Sequence, residues 1–388
     1  MINVDRTKIL ESMIEVLDLP PSAYEKAKNR YESLGDWFGR NESILKEYDP
    51  HVFSQGSFRL GTAIRPFHSE EEYDLDLACK LRTSITKGSH TQQEVKELVG
   101  SEVESYRKKN GIHDKAEAKK RCWRLSYKDD LSFHVDIVPC IPADETRRTT
   151  ILESLRSSRM DESIAGQVSN LTVNITDNTL PNYKYISDDW NVSNPEGYAL
   201  WFESRTKIMS QGVILEAAQV DELPLFKRKT TLQRVIQILK RHRDSMFDAS
   251  PDLKPISVII TTLAARAYSG ETDLATALYN VSFGMENHLN SQEPRVPNPV
   301  NPGEDFSDKW DEDSRLEVNF KMWLKKLKSD VENLVNSGNR QSVTRILSES
   351  FNTTISDKVF DSVDSIASQV AASPAIITKE GPKPWQRK

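Results

Sequence analysis

Asp74 and Asp76 are the residues of this sequence whose spacing most directly suggests chemistry. They alternate with Leu75 and Leu77. Alternate residues of a β-strand share a face, so the two leucines can enter a core while both carboxylates project from the opposite face. Neighbouring carboxylates resist joint ionisation unless a positive charge lies between them, and a divalent cation with oxygen ligands meets that need. The triplet alone is also common on solvated strand faces, so its interpretation depends on its surroundings.

A second alternating segment supplies a third carboxylate. In residues 133–138, Val135 and Ile137 share one face, and Asp136 lies on the other face together with His134. On a strand next to the first, Asp136 would complete an oxygen cage for two Mg²⁺ ions. Two metals about 3.5–4 Å apart can activate an attacking hydroxyl and stabilise a leaving pyrophosphate. A lone histidine is more often structural, and His134 is interpreted in that way.

A glycine-serine turn precedes these strands. Gln55, Gly56 and Ser57 stand in sequence, about 17 residues before Asp74. Glycine permits a sharp turn and a close backbone approach, and the amides that follow can cradle phosphate oxygens. Such a turn is uninformative alone. Its value lies in the order of turn, short helix, paired carboxylates and single carboxylate.

The elements that must position these residues can be predicted from the hydrophobic pattern. Pro20 and Pro21 suit a helix entrance, and the apolar spacing after them predicts one long amphipathic helix that reaches about Tyr48. Gly, Ser and short apolar runs then indicate a strand, a turn, a short helix and a second strand near Tyr73–Leu81. The elements predicted next are a helix over 91–110, strands over 121–128 and 131–139 joined by a hairpin at Asp129-Asp130, and a strand over 183–190.

The C-terminal half is predicted to be helical from about Tyr198. The helix over Thr231–Phe247 has one apolar face, and the helix over Pro255–Tyr268 is apolar enough to be buried. Tyr198 and Trp201 could stack on a nucleobase or fill the core between lobes. The remaining predictions are a Pro/Asn-rich loop over 294–304, helices over 307–335 and 340–371, and a flexible tail over 373–388.

Composition excludes several classes of protein. The 388 residues carry 52 Lys and Arg against 58 Asp and Glu, a net charge of −6, and a hydrophobic fraction of 37%. No stretch reaches about 18 consecutive apolar residues, so no membrane span is expected. The N-terminal residues lack an apolar signal segment, and three unpatterned cysteines predict reduced thiols in a cytoplasmic protein. A mildly acidic chain is not suited to bulk binding of long nucleic acid, so nucleotide chemistry requires a local site.

The order of the motifs resembles that of the polymerase-β-type nucleotidyltransferase superfamily. The segments that carry this resemblance are GSFRLGTAIRP at 56–66, DLD at 74–76 and VDIVP at 135–139. More narrowly, the chain is similar to the bacterial cGAS/DncV-like nucleotidyltransferases, or CD-NTases. This similarity, which spans roughly residues 50–310, rests on SNPEGYALWF at 193–202, LQRVIQILKRHRD at 232–244, KPISVIITTLAARAY at 254–268 and VPNPVNPGEDFSDKW at 296–310.

The resemblance implies roles for individual residues. The metal-binding catalytic carboxylates of the family match Asp74, Asp76 and Asp136. The turn that holds the triphosphate of the donor nucleotide matches Gly56 and Ser57, with Gln55 before them.

Two further residues match phosphate contacts on the helical lobe of the family, namely Lys240 and Ser257. The pattern of its own helix places Lys240 beside the apolar face, from which it could reach inward. A solvated helix lysine is the alternative interpretation.

The implied fold is α+β and bilobal, a polymerase-β-type palm with a mixed sheet plus a helical lobe, and the active site lies in the cleft between them. The implied units are an N-terminal helical spine over 1–50, a catalytic core over 51–197, a helical lobe over 198–372 and the tail over 373–388.

The implied activity is that of an Mg²⁺- or Mn²⁺-dependent enzyme that uses two ions. It would join NTPs, ATP or GTP among them, into a cyclic di- or trinucleotide second messenger and release pyrophosphate, in bacterial antiphage defence of the CBASS type. A separate effector would read the product, and a regulatory protein would be a partner. The alternatives are an RNA 3′-end or protein nucleotidyltransferase and a non-catalytic nucleotide-binding scaffold.

Overall fold

A computed structural model describes residues 4–68, 70–128, 132–206, 229–337 and 339–361 of the chain. Within these ranges seven strands form one mixed sheet: β1 (Pro50–Gln55), β2 (Tyr73–Leu81), β3 (Glu117–Ala118), β4 (Trp123–Tyr127), β5 (Phe133–Pro142), β6 (Val173–Ile175) and β7 (Asn191–Ser193). The strand order is β1-β2-β5-β4-β3, with β6 paired to the end of β5 and β7 paired to β6. The two central strands, β2 and β5, are parallel, and the pairs that flank them are antiparallel.

Helices surround this sheet and build a second lobe. They are α1 (Val4–Leu17), α2 (Pro21–Gly39), α3 (Gly56–Arg59), α4 (Gln92–Lys109), α5 (Glu145–Ser157), α6 (Glu162–Asn170), α7 (Pro195–Thr206), α8 (Thr231–Met246), α9 (Ser257–Ala267), α10 (Leu274–Gly284), α11 (Lys309–Glu312), α12 (Ser314–Asn336) and α13 (Arg340–Phe351). A two-stranded hairpin, β8 (Pro297–Asn298) and β9 (Asn301–Asp305), precedes α11. No helix in the described ranges is long and apolar enough to cross a membrane.

The two predicted central strands are confirmed, and their alternate apolar residues are buried as the sequence indicated. Leu75 and Leu77 of β2 and Val135 and Ile137 of β5 are fully buried, in a core shared with α2 and α4. The opposite face carries Asp74, Asp76 and Asp136 at one end of these strands, and at the other end it carries a small apolar cluster that includes Ala78 and Cys140. The α+β fold therefore packs one face of the sheet fully and leaves only the carboxylate end of the other face open for chemistry.

A second, larger core belongs to the helices. It joins α1 with the C-terminal helices, and the predicted apolar helices at α8 and α9 lie at its centre. Helices α5 and α6 also contribute to it, through Ile151, Leu155, Ala165 and Val168. Residues of the predicted 51–197 core thus pack with both lobes, and the chain crosses between lobes near Leu19, where α1 ends and α2 begins.

The prediction of one long helix to Tyr48 is wrong, because α2 ends at Gly39. Arg40 has an extended backbone, with φ −63° and ψ 157°. Its guanidinium lies over the Trp37 ring, 3.7 Å from the centroid, and pairs with Glu102 of α4 at 2.7 Å. The chain leaves the helix to make these contacts and then enters β1 through a short 3₁₀ turn at Lys46–Tyr48.

The strand predicted over 183–190 is also wrong. The segment forms turns, which the Asn182 side chain holds by donating to Ser187 Oγ at 2.9 Å and to the Asp189 carbonyl at 2.6 Å. Tyr185 and Ile186, which produced the strand-like pattern, are exposed. The strands of this region are the short β6 and β7 on either side of it.

Several other predicted bounds shift. The loop over 294–304 contains the β8–β9 hairpin, and the helix over 307–335 is divided into α11 and α12. Helix α13 ends at Phe351, because Asn352 adopts a left-handed backbone with φ 45°. The predicted hairpin turn at Asp129-Asp130, the end of the predicted 340–371 helix and the tail over 373–388 lie outside the described residues.

Gly100 of α4 provides a test of how tightly this helix packs on the sheet. A Cβ there would lie 2.2 Å from Cε2 of Trp123, whose Nε1 donates to the Lys96 carbonyl at 2.8 Å. Gly100→Ala should therefore destabilise the protein by about 1–3 kcal/mol, the usual cost of overpacking, measured by denaturant unfolding. Gly166→Ala on α6 is the control, since nothing lies within 4 Å of its added Cβ. The control should be neutral or stabilise by up to about 1 kcal/mol, and a Gly100→Ala protein as stable as this control would contradict the packing.

Candidate active site

The three predicted carboxylates lie on adjacent strands. The parallel register of β2 and β5 places Asp76 directly beside Asp136, and Asp74 beside His134. Asp74 is exposed to the cleft and Asp76 is half-buried beneath it. His134 is engaged by its neighbours, since its Nε2 lies 2.6 Å from Glu72 and its Nδ1 lies 3.2 Å from Ser126 Oγ. These contacts agree with a structural role for the histidine.

Gly56 opens the space that Asp76 occupies. It begins α3 with φ +64°, a backbone conformation that favours glycine. A Cβ at this position would lie 2.2 Å from Oδ2 of Asp76. Glycine is thus required at position 56 for two reasons: the turn needs a positive φ, and the Asp76 carboxylate leaves no room for a Cβ.

Burial and mutual repulsion shape the charge of the two β2 carboxylates. The pKa of Asp76 is raised to about 7, mainly by burial and then by the charges of Asp74 and Asp136. The pKa of Asp74 is raised as well, because the walls of the cleft remove much of its solvent although the side chain faces the opening. Neither residue forms an ion pair with a described residue. A buried carboxylate that lacks a counter-charge is suited to bind a cation, so Asp74 and Asp76 fit a divalent metal.

Asp136 differs, because an arginine already neutralises it. Arg124 of β4 is its cross-strand neighbour and donates to both carboxylate oxygens at 2.7 Å. Within the described residues no group of three or more His, Cys, Asp and Glu side chains is arranged to hold a metal ion. The structure therefore presents two available carboxylates and a third that is engaged. The sequence interpretation missed Arg124, because its pairing with Asp136 depends on the register between β4 and β5.

Lys240 reaches the site from the helical lobe. It is only 4% exposed, so the solvated-lysine alternative is wrong. Its Nζ donates to the carbonyl and the Oγ1 of Thr62, at 3.0 and 3.1 Å, in the loop that follows α3. Burial, with the charge of Arg243 adding to it, lowers the pKa of Lys240 to about 7.

A row of α8 side chains holds this loop through its backbone. Gln233 donates to the Leu60 carbonyl at 2.9 Å, Gln237 to that of Ala63 at 2.7 Å, and Arg241 to that of Arg65 at 2.8 Å. Together with Lys240 these residues recur at helical spacing, so a single face of α8 joins the two lobes. We call this contact the α8 seam.

Two cavities meet at the site, and Ser57, Asp74, Lys240 and Ser257 line both of them. The first, of about 480 Å³, extends toward the hairpin; it is lined by Gln55, Gly56 and Asp76, by the aromatic Tyr198 and Phe306, and by the polar Asn194, Thr261, Asn298 and Glu304 among others. The second, of about 350 Å³, extends past Arg65, Arg243 and Lys254. The volume and mixed lining of the first cavity suit a nucleotide base and sugar.

The remaining predicted residues take distinct places around these cavities. The Gln55 side chain donates to the Leu77 carbonyl at 3.3 Å, and Ser257 Oγ accepts from Arg243 at 2.7 Å. Tyr198 lines the first cavity, with its hydroxyl 2.8 Å from Thr262 Oγ1. Trp201 is buried in the helical core. Of the two aromatic candidates, only Tyr198 lines a cavity at this site.

The fold and the arrangement of the site are together typical of a nucleotidyltransferase. Residues 50–140 match the family model described as "Cyclic GMP-AMP synthase DncV-like, nucleotidyltransferase domain". This match, together with the relatives below, supports the assignment to the bacterial CD-NTase family that the motifs indicated.

Similar proteins agree with this assignment. A c-di-GMP synthase of Roseivirga ehrenbergii is 27% identical over 335 residues, which cover 84% of this chain and 78% of that protein. The cyclic dinucleotide synthase CdnG of Bradyrhizobium diazoefficiens is 24% identical to this chain. The match covers 84% of this chain and 74% of the length of that CdnG. The structure of that CdnG in complex with GTP has a TM-score of 0.64 to this fold at 20% sequence identity. The superposition covers 94% of this chain and 99% of the CdnG chain.

Gly56→Ala tests whether Asp76 depends on the glycine. We expect loss of nucleotidyl transfer by at least about 100-fold, because the added methyl occupies the position of the Asp76 carboxylate. Gly111→Ala is the control, since Gly111 has a similar φ of +65° but nothing within 4 Å of its added Cβ. The control should lose about 1–2 kcal/mol of stability through backbone strain and keep its activity. Equal effects of both changes on activity would mean that strain alone is responsible.

The double variant Asp74→Asn, Asp76→Asn tests the charge of the site. We expect turnover to be abolished and the metal-free protein to be more stable than wild type at pH 8. The sign follows from the pKa of Asp76, which is higher in the folded protein than in the unfolded chain. The contribution of Asp76 to stability is fully present below the unfolded pKa and is lost as the pH rises through about 7, whereas asparagine does not ionise and loses nothing. The difference in melting temperature should shrink at pH 5. A double variant with near wild-type activity would exclude this site.

Proposed function

We propose that the chain joins two nucleoside triphosphates into a cyclic dinucleotide and releases pyrophosphate. The observation that carries this proposal is the convergence of Asp74, Asp76, Ser57 and Lys240 on one pair of connected cavities. Carboxylates on the sheet face polyphosphate-binding donors on the helical lobe, as transfer of a nucleotidyl group requires. The names of the similar proteins from Roseivirga and Bradyrhizobium support a ring of two nucleotides.

The residues that hold the metal in this proposal are Asp74 and Asp76, with Asp136 as a further ligand once it is free of Arg124. Two Mg²⁺ or Mn²⁺ ions are the proposed cofactors. When bound, they would stabilise charge on the transferred phosphate and favour ionisation of the attacking ribose hydroxyl.

Lys240 and Ser57 are the proposed contacts to the donor triphosphate. An ammonium has three N–H donors, and Thr62 accepts two hydrogen bonds from Lys240. The third donor remains for a ligand in the cavity that Lys240 lines. A polyanion placed beside Lys240 would favour its charged form and oppose the effect of burial on its pKa, so binding would restore the positive charge when it is needed.

The first cavity is the proposed nucleotide pocket. Tyr198 and Phe306 offer aromatic surface, and Asn298 and Glu304 offer hydrogen-bonding groups that a purine base requires. GTP is the first substrate to test, because the Bradyrhizobium CdnG structure contains GTP and the Roseivirga relative is named a c-di-GMP synthase. ATP remains a second candidate.

In this proposal the product is a second messenger in antiphage defence of the CBASS type and is read by a separate effector in the cytoplasm. A regulatory protein partner is also proposed, as one fold neighbour, CdnC from E. coli MS115-1, is described in complex with HORMA-deltaN. We propose no tight binding to long nucleic acid, since the net charge is −6. The predicted unit bounds of 1–50, 51–197 and 198–372 are retained as proposals.

The product test uses purified protein, radiolabelled GTP and ATP, and Mg²⁺ or Mn²⁺, followed by phosphatase and mass spectrometry. We expect a ring of two nucleotides that resists phosphatase, because a ring has no terminal phosphate. The Asp74→Asn, Asp76→Asn variant is the matched negative control. A ladder of lengthening oligomers would support an RNA 3′-end transferase, labelled protein would support a protein nucleotidyltransferase, and absence of turnover would support a nucleotide-binding scaffold.

A further inference from the structure

The contact between Arg124 and Asp136 engages both oxygens of the third carboxylate. Nε of Arg124 donates to Oδ1 of Asp136 at 2.7 Å, and Nη2 donates to Oδ2 at 2.7 Å. This is the bidentate, charge-assisted geometry in which arginine binds carboxylates best. The hydrogen bond to Asp136 also raises the pKa of Arg124. Both oxygens that a metal would use are therefore directed at a guanidinium.

The other two carboxylates are left without such a partner. Asp74 and Asp76 form no ion pair with a described residue, and Asp76 is only one strand away from Asp136. A dication at Asp74 and Asp76 would attract Asp136 and repel the Arg124 guanidinium beside it. The metal and Arg124 therefore compete for one carboxylate.

We propose that Arg124 is a clamp that holds Asp136 out of the metal site until a divalent cation displaces it. The proposal rests on the proposed function, because it takes Asp136 to be a metal ligand. Arg124 is then a positioning residue that sets metal affinity. In the metal-free protein it reduces the repulsion among three neighbouring carboxylates.

The clamp can open without unfolding the sheet. The side chains of Arg124 and Asp136 are 28% and 21% exposed, so the pair lies at the surface of the sheet and not within a core. Backbone pairing between β4 and β5 holds both Cα atoms in register whether or not the side chains touch. On its other side Arg124 has Glu117 of β3 as its cross-strand neighbour, a carboxylate that already pairs with Lys119.

Metal binding by the EDTA-treated full chain tests the clamp directly. Free Mn²⁺ is measured by electron paramagnetic resonance during titration, without nucleotide. Arg124→Gln should lower the Kd for Mn²⁺ by about tenfold or more, since a competing bidentate ion pair is removed. Arg124→Lys keeps the charge but loses the planar fork, so its Kd should fall by a smaller factor, about threefold.

Arg82→Gln is the matched control, because it removes the same charge from a guanidinium that pairs with Asp49 at 2.9 Å beyond the end of β2. Its Kd for Mn²⁺ should equal that of wild type. An unchanged or higher Kd in Arg124→Gln would overturn the clamp. An Arg124→Lys protein that binds Mn²⁺ as wild type does would also overturn it, since charge alone would then explain any effect in Arg124→Gln.

A crystal structure of the wild-type chain with bound Mn²⁺ is a second test, and it does not depend on whether the variants fold. We expect Asp136 to contact the metal and both Arg124 hydrogen bonds to be broken. A metal on Asp136 with the bidentate pair intact would overturn the inference while leaving the proposed function standing. Absence of Mn²⁺ binding in wild type and in Arg124→Gln would instead remove the metal site on which the proposed function depends.

Discussion

The α8 seam is the contact on which the geometry of the site depends. Four side chains on one helix face donate to consecutive stretches of the loop that follows α3, and these bonds are buried or partly buried. A backbone carbonyl in such a place must be paired, because leaving it unpaired costs about 1–3 kcal/mol. The loop is therefore fixed relative to the helical lobe. Since this loop directly follows α3, which begins with Gly56 and Ser57, the same contacts also restrain the Gly56-Ser57 turn from the helical lobe.

Repulsion among the three neighbouring carboxylates is the second constraint, and it is reduced in a different way at Asp76 and at Asp136. Asp76 is tolerated because Gly56 leaves it room and because its raised pKa reduces the charge it carries without a ligand. Asp136 is tolerated because Arg124 neutralises it. Lys240 is the opposite case, a buried base whose pKa is lowered to about 7. Burial thus favours the neutral forms of Asp76 and of Lys240, which lie on opposite sides of the cleft. A bound metal would favour the charged form of Asp76, and a bound polyphosphate would favour the charged form of Lys240.

The sequence was sufficient for the parts of the site that follow from local periodicity. Alternation placed Asp74, Asp76 and Asp136 on open strand faces, and helical periodicity placed Lys240 beside a buried face. Periodicity could not reveal Arg124, because its pairing with Asp136 depends on the register between β4 and β5, which is set by tertiary structure. The strand predicted over 183–190 failed for a related reason, since the Asn182 side chain stabilises turns that compete with strand pairing. The helix end at Gly39 likewise depends on Arg40 reaching Glu102 on another helix.

If an acidic protein is to bind a triphosphate, as proposed for this chain, it must concentrate its positive charge. Lys240 and Arg243 lie near each other on α8, and both line the cavity beside Asp74. Both are at least nine-tenths buried, where a charge interacts more strongly with a ligand than it would in bulk water. Lys240 is held by hydrogen bonds to Thr62 across the α8 seam, and Arg243 is held by Ser257 and by an ion pair with Asp244. Because Asp244 already pairs with Arg243, the enclosed positive charge rests mainly on Lys240 and would favour one compact polyphosphate, whereas a long nucleic acid needs cations spread along an exposed groove.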